Sequence, residues 1–295
     1  MKYCSSVCQT EDWASHRLVC KNVGAARKEE LMPLLFAAQN GDVEMVRKLL
    51  KDGGKVDGGA FFYDDETPML ITPLMEAARA GHAAVNADLL KAGAKINQTT
   101  TGGFTPLYVA AQEGHRAAVS VLVAAGAEID ILSDDQCTPL FVAAQEGHGA
   151  VLAVLTQAGG DVNRTRDDGC SSLFVAVQKD HREVLAMLMK AGADINQAND
   201  NGFTPVFVAA QENYKTVLAT LLKAGADVNP GMDNGCSPLY IAAAHGHAAV
   251  VVALLEAGAQ MTAIYDGRTP LMAATNAGHT SVVAALRRWT AGIRD

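Results

Sequence analysis

A dipeptide returns down this chain at a fixed interval. Thr72-Pro73, Thr105-Pro106, Thr138-Pro139, Thr204-Pro205 and Thr269-Pro270 recur, with Ser171-Ser172 and Ser237-Pro238 in the places between. The steps are 33 residues long, except for a last one of 32. Met32-Pro33-Leu34 opens an earlier copy 40 residues before Pro73, which makes eight copies. A period of this length means one supersecondary unit stacked on itself, since a single short copy cannot bury its own apolar face.

Each copy reads as two helices. Thr or Ser supplies a capping oxygen, and Pro in the first helical position gives up an N–H that would have had no helical partner. Paired alanines such as Ala110-Ala111 and Ala143-Ala144 let neighbouring copies approach closely. Gly81, Gly114, Gly147, Gly246 and Gly278 stop the first helix where a left-handed residue is wanted, and Asp180 and Asn213 stand in the same place. A Val/Leu-rich second helix follows, stopped by Gly93, Gly126, Gly159, Gly192, Gly225 and Gly258. In the last copy Arg287 replaces the core leucine represented by Leu255, and Thr290 replaces the stop glycine, as suits a solvent-facing cap.

The stretches "TPLYVAAQEGH", "TPLFVAAQEGH" and "LLKAGADVN" resemble the ankyrin repeat. The resemblance covers about residues 31–292 and implies an all-α solenoid of eight helix-turn-helix copies joined by β-turn fingers. One departure is systematic. The family's histidine after Pro-Leu is replaced by Tyr108, Phe141, Phe174, Phe207 and Tyr240, which are expected to pack within the repeats.

Composition narrows the function. The formal charge of −8 repels a phosphate backbone, so nucleic acid is not an expected partner. No apolar run approaches a membrane span and no signal-peptide pattern opens the chain, so cytoplasm or nucleus is expected. Cys137, Cys170 and Cys236 share one register position and are expected to be free thiols. His82, His115, His148, His181, His247 and His279 share another, leaving only His16 and His245 outside it. No nucleophile–base pair, phosphate loop or calcium-loop spacing is placed by the register, so a non-catalytic, monomeric interaction scaffold or adaptor is expected. The implied partner is a protein or peptide.

In a solenoid of this type, the exposed side of the first helices and the finger tips line the concave face. Gln112, Gln145, Gln178 and Gln211 fall there in four consecutive copies, beside Glu113, Glu146 and Glu212, with Lys179 as the exception. Asp134, Asp167 and their neighbours Asp135, Asp168, Asp200 and Asp233 edge it through the fingers, and Phe104 and Phe203 add apolar contact. The ladder suits a basic or mixed-charge peptide. About seven extra residues lie between the first two copies, within "GGAFFYDDETPML". They are expected to form a lengthened finger whose Phe61, Phe62 and Tyr63 either bind a partner or fold back over the stack.

Ahead of the repeats, "YCSSVCQTEDWASHRLVC" sets Cys4, Cys8, His16 and Cys20 at C-x3-C-x7-H-x3-C spacing, with Gln9, Asp12 and Trp13 between them. From Tyr3 to Cys20 it resembles the second half of a MYND-type zinc finger. By that resemblance Cys4 and Cys8 would serve one zinc, and His16 and Cys20 a second. Each pair would need two more cysteines from ahead of Met1. Three readings stay open: a first half lost at the chain start, one zinc held by all four residues, or a decayed finger without metal. The resemblance also gives a rival role, a transcription-associated regulator whose full finger recruits proline-containing peptides.

Overall fold

The computed structural model describes residues 33–58, 60–64, 67–230, 235–262 and 264–292, with side chains described for all but 60–64 and 67–69. The N-terminal Cys4, Cys8, His16 and Cys20 fall outside these residues. The chain divides into two compact units, Met1–Asp167 and Asp168–Asp295.

Among the described residues the first unit carries four helix pairs: α1 (Pro33–Asn40) with α2 (Val43–Lys51), α3 (Pro73–Arg79) with α4 (Ala83–Lys91), α5 (Pro106–Gln112) with α6 (Arg116–Ala124), and α7 (Pro139–Gln145) with α8 (Gly149–Gln157). The second carries four more: α9 (Ser172–Gln178) with α10 (Arg182–Lys190), α11 (Pro205–Gln211) with α12 (Lys215–Lys223), α13 (Pro238–Ala244) with α14 (Ala248–Glu256), and α15 (Pro270–Asn276) with α16 (Thr280–Thr290). Among the described residues the fold is therefore helical but for one hairpin. The long insertion pairs its backbone as an antiparallel hairpin, β1 (Ala60–Asp64) against β2 (Thr67–Ile71), in register from Ala60↔Ile71 to Asp64↔Thr67.

The caps are those the sequence asks for. Thr105 Oγ1 accepts the Tyr108 N–H at 3.1 Å, Thr138 accepts Phe141 at 3.0 Å, and Ser171 accepts Phe174 at 3.1 Å. The first helices from α3 to α13 then bury nearly all of themselves, while α1 and α15 of the end copies bury only part. In α5 everything from Pro106 to Ala111 is buried, with Ala110 and Ala111 fully enclosed. The second helix contributes one stripe only, such as Ala118, Val119 and Leu122 of α6. Enclosing one such leucine stabilises the fold by about 2–3 kcal/mol. The aromatics after Pro-Leu belong to this core, with Tyr108, Phe141, Phe174, Phe207 and Tyr240 all buried.

The last copy ends differently from the sequence expectation. Arg287 is exposed where Leu255 is buried, as expected. The stop glycine, however, is displaced and not lost: α16 continues to Thr290, and Gly292 takes the left-handed conformation at φ 73°. The final finger is tighter too. Asp266 (φ 51°) and Gly267 (φ 69°) make the left-handed pair of a two-residue hairpin turn between Tyr265 and Arg268.

Candidate partner-binding surface

Copies are stitched together at both ends of their helix pairs. At the end where the first helix turns back, an imidazole Nε2 of one copy bonds a backbone carbonyl of the copy before. In the first unit these are His82 to Gln39 (3.1 Å), His115 to Arg79 (2.9 Å) and His148 to Gln112 (2.9 Å). In the second they are His247 to Gln211 and His279 to Ala244, both 3.0 Å. The register histidines are thus committed to stacking.

At the opposite end, after the second helix, an Asx oxygen accepts an N–H of the next copy. Asp57 takes Lys95 (3.0 Å), Asn97 takes Glu128 (3.1 Å), Asn196 takes Asp227 (2.9 Å) and Asn229 takes Gln260 (2.8 Å). Sequence reasoning missed this second row. Its signal was present in the Asn or Asp that returns at the repeat period. Asn97 also donates its amide to Glu128 Oε1 at 2.9 Å, so this asparagine is held at both polar atoms.

The stitches explain the Gln ladder. The backbone carbonyls of Gln112 and Gln211 accept the imidazoles of His148 and His247. In the first unit Gln112 is half-buried, with its side-chain oxygen shielded from solvent and without a hydrogen-bond partner. Glu113, the cap residue of α5, is exposed. Gln145 donates to Glu146 Oε1 at 3.0 Å. The corresponding rung of the second copy is Arg79, ion-paired to Glu76 at 2.6 Å. In the second unit Gln211 repeats the Gln–Glu pairing with Glu212 at 2.8 Å, while Gln178 is half-buried beside exposed Lys179. His245 takes the next position. Its Nδ1 lies 3.4 Å from the Gln211 carbonyl that His247 also reaches, and the two rings cross edge to face at 5.7 Å. Burial, ahead of the neighbouring His245, lowers the pKa of His247 below the ordinary imidazole value.

The fingers present acid at their tips. Asp134 and Asp167 are exposed, and the Asp134 N–H donates to the Gly102 carbonyl at 3.0 Å, tying two fingers together. Arg166 stands over the Phe141 ring at 5.6 Å. Phe104 and Phe203 are half-buried, each against the buried aromatic of its own copy: Phe104 lies 4.8 Å from Tyr108, and Phe203 lies 4.7 Å from Phe207. Much of their apolar surface is therefore spent on packing. The side chains of Phe61, Phe62 and Tyr63, and all of Asp233, fall outside the described residues.

Cys137, Cys170 and Cys236 are buried and form no disulfide, and burial pushes the Cys236 thiol pKa up to about 11. A thiol so held is a poor nucleophile at neutral pH. Among the described residues no three His, Cys, Asp or Glu side chains are placed to hold a metal ion, and no helix is long and apolar enough to cross a membrane.

The model of the family described as "Ankyrin repeats (3 copies)" matches residues 8–100, 74–166, 117–199, 149–231, 173–265 and 225–293. No curated protein gives a match. Among solved structures, the ankyrin-repeat domain of human ASB11 is 28% identical, with a TM-score of 0.65 over 74% of this chain and 97% of that one. The ankyrin-repeat domain of Bcl-3, a member of the IkappaB protein family, is also 28% identical, with a TM-score of 0.67 over 74% of this chain and 98% of that one. Capped first helices, left-handed stops, inter-copy stitches and overlapping family matches across almost the whole length agree: this chain belongs to the ankyrin-repeat family.

Proposed function

We propose that the chain is a non-catalytic scaffold or adaptor that holds a protein or peptide of basic or mixed charge against its ladder rungs and finger tips. Ankyrin repeats are interaction modules, which supports the general role. The observation that carries the finer reading is the contrast at the ends of α5 and α11. In α5 and α11 everything ahead of the last residue is buried, yet Glu113 and Glu212, one residue past the helix, are exposed. Acid offered at recurring positions attracts a cationic partner. The partner-facing set is Gln112, Glu113, Gln145 and Glu146 in the first unit and Gln178, Gln211 and Glu212 in the second, with Asp134 and Asp167 at finger tips. Phe61, Phe62 and Tyr63 of the hairpin and the edges of Phe104 and Phe203 add apolar contact.

In the same reading the chain works as a monomer in cytoplasm or nucleus, and Cys4, Cys8, His16 and Cys20 hold at most one zinc. Three thiolates and an imidazole are a complete structural set for that ion.

The test titrates Lys/Arg-rich, mixed-charge and Glu-rich fluorescent peptides with the full chain at low and high salt. Basic or mixed peptides are expected to bind, with association slowed by salt and lost in the triple variant Glu113→Lys, Glu146→Lys, Glu212→Lys. Unchanged affinity in that variant removes the ladder from the binding surface.

A further inference from the structure

The second unit, Asp168–Asp295, is not stitched evenly. Between α11–α12 and α13–α14 both stitches form: His247 reaches the Gln211 carbonyl at 3.0 Å, and Asn229 takes the Gln260 N–H at 2.8 Å. Between α13–α14 and α15–α16 the imidazole stitch forms, His279 to Ala244 at 3.0 Å. Between α9–α10 and α11–α12 the Asx stitch forms, Asn196 to Asp227 at 2.9 Å, but the imidazole stitch does not. Tyr214 occupies the imidazole's place as the cap residue of α12. Among the described residues its hydroxyl makes no hydrogen bond and the Gln178 carbonyl accepts none.

The preceding copy is altered to match. Where a glycine closes the first helix, the next imidazole lies almost on it: a Cβ on Gly246 would come 2.7 Å from His279 Nδ1. After α9 that place is taken by Asp180, left-handed at φ 55°, whose carboxylate turns to Arg182 at 2.8 and 3.0 Å. A Cβ alone does not prevent the stitch, because Asn213 (φ 59°) is followed by a bonded His247. The break belongs to Tyr214.

A helix pair fastened at one end and loose at the other has a hinge. We propose that the junction between α9–α10 and α11–α12 opens locally from its Asp180–Tyr214 edge, pivoting on the Asn196–Asp227 bond, more readily than the junction that follows it. The rungs on its two sides carry opposite charge, Lys179 and Glu212, so opening changes the spacing of a cation and an anion on the ladder. The device is independent of which partner binds.

Hydrogen exchange on the full chain tests it. In the wild type, amides at 178–182 are expected to exchange faster than those at 245–248. Tyr214→His, and more fully Asp180→Gly with Tyr214→His, should slow exchange at 178–182 by about fivefold, the worth of one net hydrogen bond. Tyr214→Phe should leave it unchanged, because the hydroxyl has no partner to lose. Should the double variant fail to fold, His247→Tyr makes the converse case and should speed exchange at 211–215. Equal protection at the two wild-type segments, or no response to either the restored or the removed imidazole, overturns the proposal.

Discussion

His148 Nε2 stands 2.9 Å from the carbonyl oxygen of Gln112, a residue 36 places earlier and one copy back. Beside that bond the preceding copy has no side chain. A Cβ on Gly114 would sit 2.6 Å from His148 Nδ1, far inside any real contact. Gly114 therefore answers to two constraints, a left-handed φ of 77° and the space of its neighbour's imidazole.

The two constraints separate by comparison with Gly126, which is left-handed at φ 88° but has nothing within 4 Å of its added Cβ. Gly126→Ala should cost about 1 kcal/mol, the backbone penalty alone. Gly114→Ala should cost about 2–3 kcal/mol, because the imidazole must also shift and strain its bond to the carbonyl. Denaturant melts of the two variants check this. Equal losses would mean that the imidazole steps aside freely and the stitch contributes nothing.

Asn86 points the other way. It fills the place held by Val46, Val119 and Leu152 in the neighbouring copies, is 0% exposed, and bonds neither its amide nitrogen nor its oxygen. A buried amide without partners costs about 1–3 kcal/mol. Asn86→Val should raise stability by an amount of that order and lift the melting temperature. A loss of stability would show that the amide has a partner, such as an enclosed water, worth more than the apolar contact.

Ser172 carries a similar flaw at a simpler site. It stands where all seven other copies have Pro, is 1% exposed, and its hydroxyl has no partner. Ser171 before it already has the extended backbone that precedes a proline, φ −88° and ψ 166°. Ser172→Pro should stabilise by about 1 kcal/mol, by stiffening the unfolded chain and removing the orphan hydroxyl. A melting temperature that falls would place a needed N–H at residue 172.

What the sequence disclosed and what it hid have different physical causes. The helices, their caps and their glycine stops could be read from the period, because each is a local demand that one residue type meets. The burial of Tyr108 and Phe141 followed from their fixed offset from those caps. The stitches stayed hidden, because half of each is a backbone carbonyl or N–H of another copy, and backbone groups leave no mark in a sequence. The Gln145–Glu146 and Gln211–Glu212 pairs were hidden too, since adjacent side chains on a ladder can face a partner or each other. The shifted stop at Gly292 was misread because the period was trusted where the last copy had left it.

His247 gives stability a pH dependence. Burial lowers its pKa in the folded state below the ordinary 6.5, with His245 adding to the fall and Glu212 opposing it. The unfolded chain therefore takes up a proton on acidification before the folded chain does. The stability due to the neutral, stitched imidazole is complete above 6.5 and is lost as pH falls through the lowered folded-state value. Thermal melts across this range should show the wild type losing stability more steeply than His247→Gln. Parallel slopes would mean that the imidazole titrates alike in both states.

The last prediction concerns metal. Cys4, Cys8, His16 and Cys20 offer three thiolates and one imidazole, the ligand number a structural zinc requires. In small fingers such a site supplies about 10–16 kcal/mol of folding free energy, so a segment built on it collapses when the ion is removed. The repeats have no such dependence. Their cores are closed by Leu107, Leu122, Leu140 and Leu155 in the first unit and by Leu173, Leu188 and Leu221 in the second, all 0–1% exposed. Chelation should therefore release no more than one zinc per chain while leaving the helical signal and the melting transition of residues 33–292 almost unchanged. Cys20→Ser should abolish whatever zinc is bound. Two tightly held ions would rule out a single four-ligand site, and loss of helical signal on chelation would show that the repeats lean on the metal after all.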